Sequence, residues 1–365
     1  MAKLFTPIQI GPITAKNRLW VSPMCQYSAT GQAGRAEAWH LVHYGALAAG
    51  GAGLVMVEAT GVVPHGRITP WDLGLWDDAQ IPGLAAVADF IKAQGAVPAI
   101  QLGHAGGKAS TNKLWLGGGY VPPEEGGFAA DAASAIAFPG LPVPHELTEA
   151  EVGGVVQAFA DAARRAHDAG FEAIEVHAAH GFLLHQFLSP LSNSRSDRFG
   201  GSLENRCRLV LEVLAAVRCA IGESVALVLR VSATDWVDPG WDLEQTTQLA
   251  AWAQQVGLDH LDVSSGGVVA DAKIPVGPAY QAPFAAKIAQ ATGLSVNSVG
   301  VIDTAPLAES LVAEGGLDTV MLGRPLLRDP HTPIVWATEL GEDPAAWSPP
   351  QYSMAAWRRY HPAIR

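Results

Sequence analysis

The chain has 365 residues, a formal net charge of −12 and 49% apolar residues, so a large core is available while nucleic acid and anionic membrane surfaces are unfavourable partners. No apolar run approaches the ~20 residues a membrane-spanning helix needs. Cys25, Cys207 and Cys219 form neither a CxxC pair nor a disulfide framework, which points to a reducing cytoplasm.

The opening stretch MAKLFTPIQI has no long apolar segment behind its lysine, so no signal peptide is expected. After a first strand at 18–24, one pattern recurs: a helical stretch, a glycine, then a short β-branched run. It appears as AAGGAGLVMVEA (48–59), AQGAVPAIQLGH (93–104) and DAGFEAIEVHAA (168–179). It returns as QVGLDHLDVSS (255–265) and AEGGLDTVMLGR (313–324). Each glycine suits the position just past a helix end, where φ is positive. Each β run is almost continuously apolar, as for parallel strands covered on both faces. Adding 225–231 and 295–299 gives eight strands, with helices expected at 79–94, 148–168, 205–221, 243–256 and 305–314. This alternation predicts a single (β/α)8 TIM barrel spanning 1–365. A doubly wound open sheet is the competing architecture, weakened because no GxGxxG follows the first strands. A barrel uses ~250 residues. Residues 103–147, rich in glycine, proline and alanine, are therefore expected to form a lid or capping insertion, and 329–365 a C-terminal tail.

Barrel chemistry gathers where strands end. Strand 1 ends in Ser22, Pro23, Met24, Cys25, Gln26 and Tyr27. Later strands end at Glu58–Ala59–Thr60, Gln101, His177 with His180, and Arg230. The last three end at Ser264–Ser265–Gly266–Gly267, Val299–Gly300 and Gly323–Arg324. Glycines after strands 7 and 8, beside an arginine, suit a phosphate. Arg230 closes the apolar run VALVLR and needs an anionic or hydrogen-bonding partner. His177 and His180 allow three readings. They are core histidines satisfied by backbone, metal ligands lacking an obvious third ligand, or paired N–H donors gripping a carbonyl or nitro oxygen. Cys25 alone reads as a small buried hydrophobe and Tyr27 as a rim aromatic; Cys207 and Cys219, on a helical stretch, read as packing.

Taken together, these positions resemble the Old Yellow Enzyme family of flavin-dependent ene-reductases, from about Leu4 to Asp329. The most specific stretch is SPLSNSRSDRFGGSLENR (189–206), of which the residues alone explain only a glycine turn at Gly200–Gly201 and a helix capped by Ser202 near Asn205. PMCQY (23–27) resembles the cysteine-bearing branch that includes the xenobiotic reductases. The resemblance implies FMN in the barrel mouth and NADPH, or NADH, as reductant. It implies that Ser22, Pro23, Met24, Cys25 and Ala59 line the flavin, that Gln101 and Arg230 bond its pyrimidine edge, and that Gly300, Gly323 and Arg324 take its phosphate. His177 and His180, with Tyr27 assisting, would hold the oxygen of an activated alkene or quinone, and Cys25 would tune the flavin. The chain would form a homo-oligomer, a dimer or tetramer, with Trp357 or Arg358 of the tail as candidates for a neighbour's site.

This sequence departs from the family pattern twice near that site. Gly107 stands where the family's HAGRK has arginine, although Lys108 remains. Phe182 stands where the family usually has a tyrosine that protonates the alkene's α carbon. Two other classes remain open: a metal-dependent barrel hydrolase or lyase using His177 and His180, and a flavin redox sensor without turnover that responds through Cys25.

Overall fold

Runs of apolar residues with no polar face must be covered on both sides, and one outcome that does so is a barrel, with side chains packed inside and helices outside. The computed structural model, which describes residues 1–355, contains that outcome. The strands in chain order are β1 (Ile8–Ile10), β2 (Ile13–Ala15), β3 (Leu19–Val21), β4 (Leu54–Gly61), β5 (Val97–Gly103) and β6 (Asp131–Ala132). They continue with β7 (His145–Glu146), β8 (Ala173–Ala178), β9 (Ala226–Ser232), β10 (His260–Ser264), β11 (Ser295–Ser298) and β12 (Thr319–Leu322). Eight of them, β3, β4, β5, β8, β9, β10, β11 and β12, close in that order into a parallel barrel. All eight barrel strands match those expected from sequence, and β4, β5, β8, β9, β10 and β12 are buried along their whole length.

The outer ring comprises α1 (Ala38–Ala49), α2 (Ile81–Ala93), α3 (Glu149–Asp168), α4 (Leu183–Leu188) and α5 (Leu203–Ile221). It continues through α6 (Leu243–Gln255), α7 (Ala282–Thr292), α8 (Ala305–Ala313), α9 (Arg324–Arg328) and α10 (Thr332–Glu339). Gly95, Gly170 and Gly257, each just past a helix, have φ of 69°, 91° and 90°, the left-handed geometry their spacing implied. Ser202 caps α5 by accepting from the Asn205 N–H at 3.3 Å, as its motif indicated.

The hairpin β1–β2 has no counterpart among the elements expected from sequence. Its Ile10, Ile13 and Ala15 pack with Leu54, Val97, Ala173 and Ala226, residues that begin barrel strands, and so close the barrel floor. Chemistry is thereby confined to the opposite end. Residues 103–147 contain three short 3-10 turns and the β6–β7 pair, and expose Leu114, Trp115 and Leu116. Cys207 is buried in α5, whereas Cys219 is exposed on the outer face of the same helix, which corrects its reading as a packing residue. No helix among the described residues is long and apolar enough to cross a membrane. Trp357 and Arg358 lie outside the described residues.

Candidate active site

At the C-terminal ends of the strands, parallel register decides which polar side chains meet. Gln101 on β5 pairs with Glu175 on β8; His177 on β8 pairs with Arg230 on β9; Arg230 pairs with Asp262 on β10. The Gln101 amide donates to Glu175 Oε1 at 2.6 Å. The Arg230 guanidinium meets Asp262 Oδ2 at 2.9 Å, and its Nη2 reaches Ser22 Oγ at 3.4 Å. Asn297 donates to Asp262 Oδ1 at 2.6 Å and bonds His260 at 2.7 Å. Burial and the Asp262 charge push the Glu175 carboxyl up, opposed by Arg230 and by the Gln101 hydrogen bond. The anionic partner that Arg230 required is therefore Asp262. The signal that could have found these partners is a lone Asp or Glu at an inward position of an apolar strand, as in HLDVS and AIEVHA.

The loop 22–27 is pinned from beneath. Glu58, fully buried at a register shift in β4, accepts from the Gln26 N–H at 2.6 Å and from the Tyr44 hydroxyl at 3.0 Å. That contact presents Met24 and Cys25 at the mouth and holds Tyr27 at φ 50°. Burial, with Asp72 and Glu58 nearby, raises the Cys25 thiol well above its ordinary value. The side chain is half-buried rather than a fully buried hydrophobe, and the direction of the shift is opposite to the low-pKa thiolate a reactive sensor cysteine needs.

His177 is buried and His180 half-buried, with rings edge-on at 5.1 Å. Burial and the positive charge of Arg230 hold both well below the usual histidine range, hence neutral. His177 Nδ1 accepts the Ala179 N–H at 3.2 Å, so its proton lies on Nε2, which has no partner among the described residues. A nitrogen carrying a proton has no lone pair for a metal. One other cluster among the described residues has ligand chemistry, His65, His104 and Asp131, with ligand atoms within 4.8 Å of one another. It lines a separate cavity of about 630 Å³, and His104 Nδ1 likewise accepts an N–H, from Gly106 at 3.0 Å.

Beside the histidines, the Phe182 ring lies edge-on to His177 at 5.0 Å. Lys108 donates to the carbonyls of His180 at 2.8 Å and Gly267 at 2.5 Å, tying together the loops after β8 and β10. Its ammonium is 5.7 Å from the Phe182 ring, and burial lowers its pKa to about 8. Gly107 is buried against Pro144 and Ala132, where a longer side chain would meet the insertion.

Across the mouth, Gly300, Gly323 and Arg324 share a cleft of about 210 Å³ with Met24. Gly300 has φ 120°, and a Cβ there would lie 2.8 Å from Gln281 and Tyr280. Only glycine keeps this cradle open. An FMN fits these residues: a backbone cradle with an arginine for the phosphate, and a buried guanidinium with a primary amide for the flavin's polar edge. Gln101 and Arg230 are already anchored by Glu175 and Asp262, which fixes their direction.

Residues 3–340 match the model of the NADH:flavin oxidoreductase / NADH oxidase family. The NADPH dehydrogenase of Geobacillus thermodenitrificans is 44% identical over 97% of this chain and 98% of its own. Morphinone reductase in complex with tetrahydroNAD superposes with a TM-score of 0.77 at 28% identity, covering 95% of this chain and 94% of that one. 2-Naphthoyl-CoA reductase superposes with a TM-score of 0.83 at 26% identity, over 93% of this chain but only 52% of the longer protein. The barrel, the residues gathered at its mouth and these similarities agree: the chain belongs to the NADH:flavin oxidoreductase / NADH oxidase family, the Old Yellow Enzyme group that its motifs resemble.

Proposed function

We propose that this flavin-dependent oxidoreductase reduces activated C=C bonds, in enones, quinones and maleimides, and nitro compounds, at the expense of NADPH or NADH. Bound FMN would supply the hydride carrier. The observation that carries the reading is the edge-on pair of neutral histidines, buried His177 and half-buried His180, with His177 presenting a free N–H. Two such donors polarise a carbonyl or nitro oxygen and make the β carbon electrophilic, each contributing on the order of 3 kcal/mol to the step. Tyr27 would assist, although its side chain is buried rather than at the rim as its sequence position suggested. Ser22, Pro23, Met24, Cys25 and Ala59 would line the isoalloxazine, Gln101 and Arg230 its pyrimidine edge, and Gly300, Gly323 and Arg324 its phosphate. Arg230 would stabilise negative charge on the reduced ring. The segment 103–147 would act as a lid.

The metal reading would need a lone pair on His177 Nε2, which the Ala179 hydrogen bond denies. The sensor reading would need a thiolate at Cys25, which burial opposes. The purified protein should show a flavin spectrum, release FMN and not FAD on acid treatment, and develop a long-wavelength band with phenol. A colourless protein that stays colourless after FMN addition would refute the proposal.

A further inference from the structure

A nicotinamide reductant brings more than its reacting ring to the barrel mouth. NADPH and NADH carry a diphosphate one ribose away from the nicotinamide, and a chain of net charge −12 disfavours such an anion unless a cation is placed for it. The cations within the mouth are committed elsewhere. Lys108 holds the carbonyls of His180 and Gly267, Arg230 faces Asp262, and Arg67 donates to the carbonyls of Pro64, Gln32 and Pro70.

Lys113 is placed differently. It stands at the tip of a hairpin in the insertion, where Thr111 faces Tyr120 and the Thr111 N–H donates to the Ile68 carbonyl at 2.8 Å. Its ammonium lies 4.8 Å from the Trp71 ring and 5.6 Å from the Trp115 ring. Among the described residues it donates to no carbonyl and pairs with no carboxylate. Two indole faces fix the position of the charge, and an N–H remains for an anion. Trp115 in turn packs on Tyr27, ring to ring at 5.9 Å, which joins the cation to the loop that bears Cys25. The Trp115 indole is 63% exposed between Leu114 and Leu116, themselves exposed at 71% and 62%. A contiguous exposed apolar lip beside an uncommitted cation marks a binding surface and not a packed tip.

We propose that Lys113, held between Trp71 and Trp115, is the subsite for the diphosphate of the nicotinamide reductant. An uncharged acceptor substrate uses the indoles but not the ammonium, whereas a dinucleotide uses both. The proposal rests on FMN occupying the barrel mouth.

The test follows flavin reduction in the FMN-loaded enzyme by stopped flow. The reductants are NADPH, NADH and N-benzyl dihydronicotinamide, which has the reacting ring and no phosphate. Lys113→Gln should raise the half-saturating concentration of both dinucleotides about tenfold, the value of one charge-assisted hydrogen bond, and leave that of the benzyl analogue within about twofold. Lys113→Glu should raise it further, Lys113→Arg should restore most of it, and the loss should shrink as salt is added. Trp115→Ala should weaken the dinucleotides less than Lys113→Gln does, because the cation keeps Trp71. Equal weakening of dinucleotides and analogue in Lys113→Gln means that the residue shapes the mouth, and overturns the proposal. So does a dinucleotide response unchanged in both Lys113→Gln and Lys113→Glu; either result leaves the flavin's place standing. A protein that takes up no FMN overturns that placement, and the subsite with it.

Discussion

Phe182 sits between His177 and Lys108 with its ring half open to the mouth. Reduction of an enone leaves a carbanion-like α carbon that needs a proton, and a positioned acid accelerates such a transfer by about 10²–10⁴-fold. Phenylalanine has none to give. Enone turnover should therefore be limited by protonation, while quinones, which need no C–H bond at that carbon, should react comparatively fast. Phe182→Tyr should speed reoxidation of the reduced enzyme by cyclohexenone at least tenfold and leave reoxidation by a quinone unchanged, as read by stopped-flow absorbance. An equal effect on both acceptors would mean that residue 182 does not face the α carbon. Glu58 makes a second residue-scale case. Burial and the nearby Asp72 raise its pKa to about 8, against an ordinary value near 4.5. A carboxyl raised in the folded state contributes stability that is complete below the unfolded pKa and lost as pH climbs through the folded one. Glu58 on its own account should therefore withdraw stability from about pH 5 to pH 9, against the buried histidines, whose lowered values add stability as pH rises toward their ordinary range; each tenfold difference in proton affinity between the folded and unfolded chain is worth ~1.4 kcal/mol. Compared with the wild type, Glu58→Gln, which keeps an acceptor for the Gln26 N–H, should be less destabilised by high pH, the rest of the pH dependence coming from Asp72, Glu175, Asp262 and the buried histidines. Melting temperatures at pH 5.5 and 9 with saturating FMN measure the difference; equal pH dependence in both proteins would refute it.

The hairpin β1–β2 does for the barrel floor what no strand does for itself. Ile10 is 2% exposed among Trp20, Met56, Ala99 and Met321. Truncating it should cost about 2–4 kcal/mol through lost burial and the cavity left behind. Because the floor lies opposite the mouth, Ile10→Ala should lower the urea midpoint yet leave phenol affinity within about twofold, a separation expected for distant sites. This element also marks the limit of what the chain discloses. The barrel strands were legible because both faces are covered and their composition is extreme, as in LVMVEA and VALVLR. The helix ends were legible because Gly95, Gly170 and Gly257 have no cheap substitute at positive φ. Strands of three residues such as IQI and ITA show no periodicity, and their apolar residues acquire meaning only once a barrel exists to be plugged. The same holds at the site. Single residues at strand ends, His177, Arg230 and Gly300 among them, could be picked out. Their partners could not, because Asp262, Ser264 and Gln281 are supplied by register and by loops far along the chain.

Over the whole molecule, the mouth divides into two halves built by different strands. Those from β3 to β9 supply Cys25, Ala59, Gln101, His177 and Arg230, the groups assigned to the ring and the substrate. The loops after β11 and β12 supply Gly300, Gly323 and Arg324, the groups assigned to the phosphate. The sides meet at Met24, which lines the cleft assigned to the phosphate while leading into Cys25. With the mouth divided in this way, cofactor affinity and flavin chemistry should separate by mutation. Arg324 is exposed, so its pairing with phosphate is partly screened, and a charge-assisted hydrogen bond of this kind is worth about 1.5–3 kcal/mol before screening. Arg324→Ala should therefore raise the FMN dissociation constant about tenfold, and less at high salt, as followed by quenching of flavin fluorescence. With FMN saturating, its reduction by NADPH and its reoxidation by an alkene should stay within about twofold of wild type, because Gln101 and Arg230 remain anchored by Glu175 and Asp262. A slowed reaction with unchanged FMN affinity would place Arg324 on the substrate side, and the two-half division of the mouth would have to be abandoned.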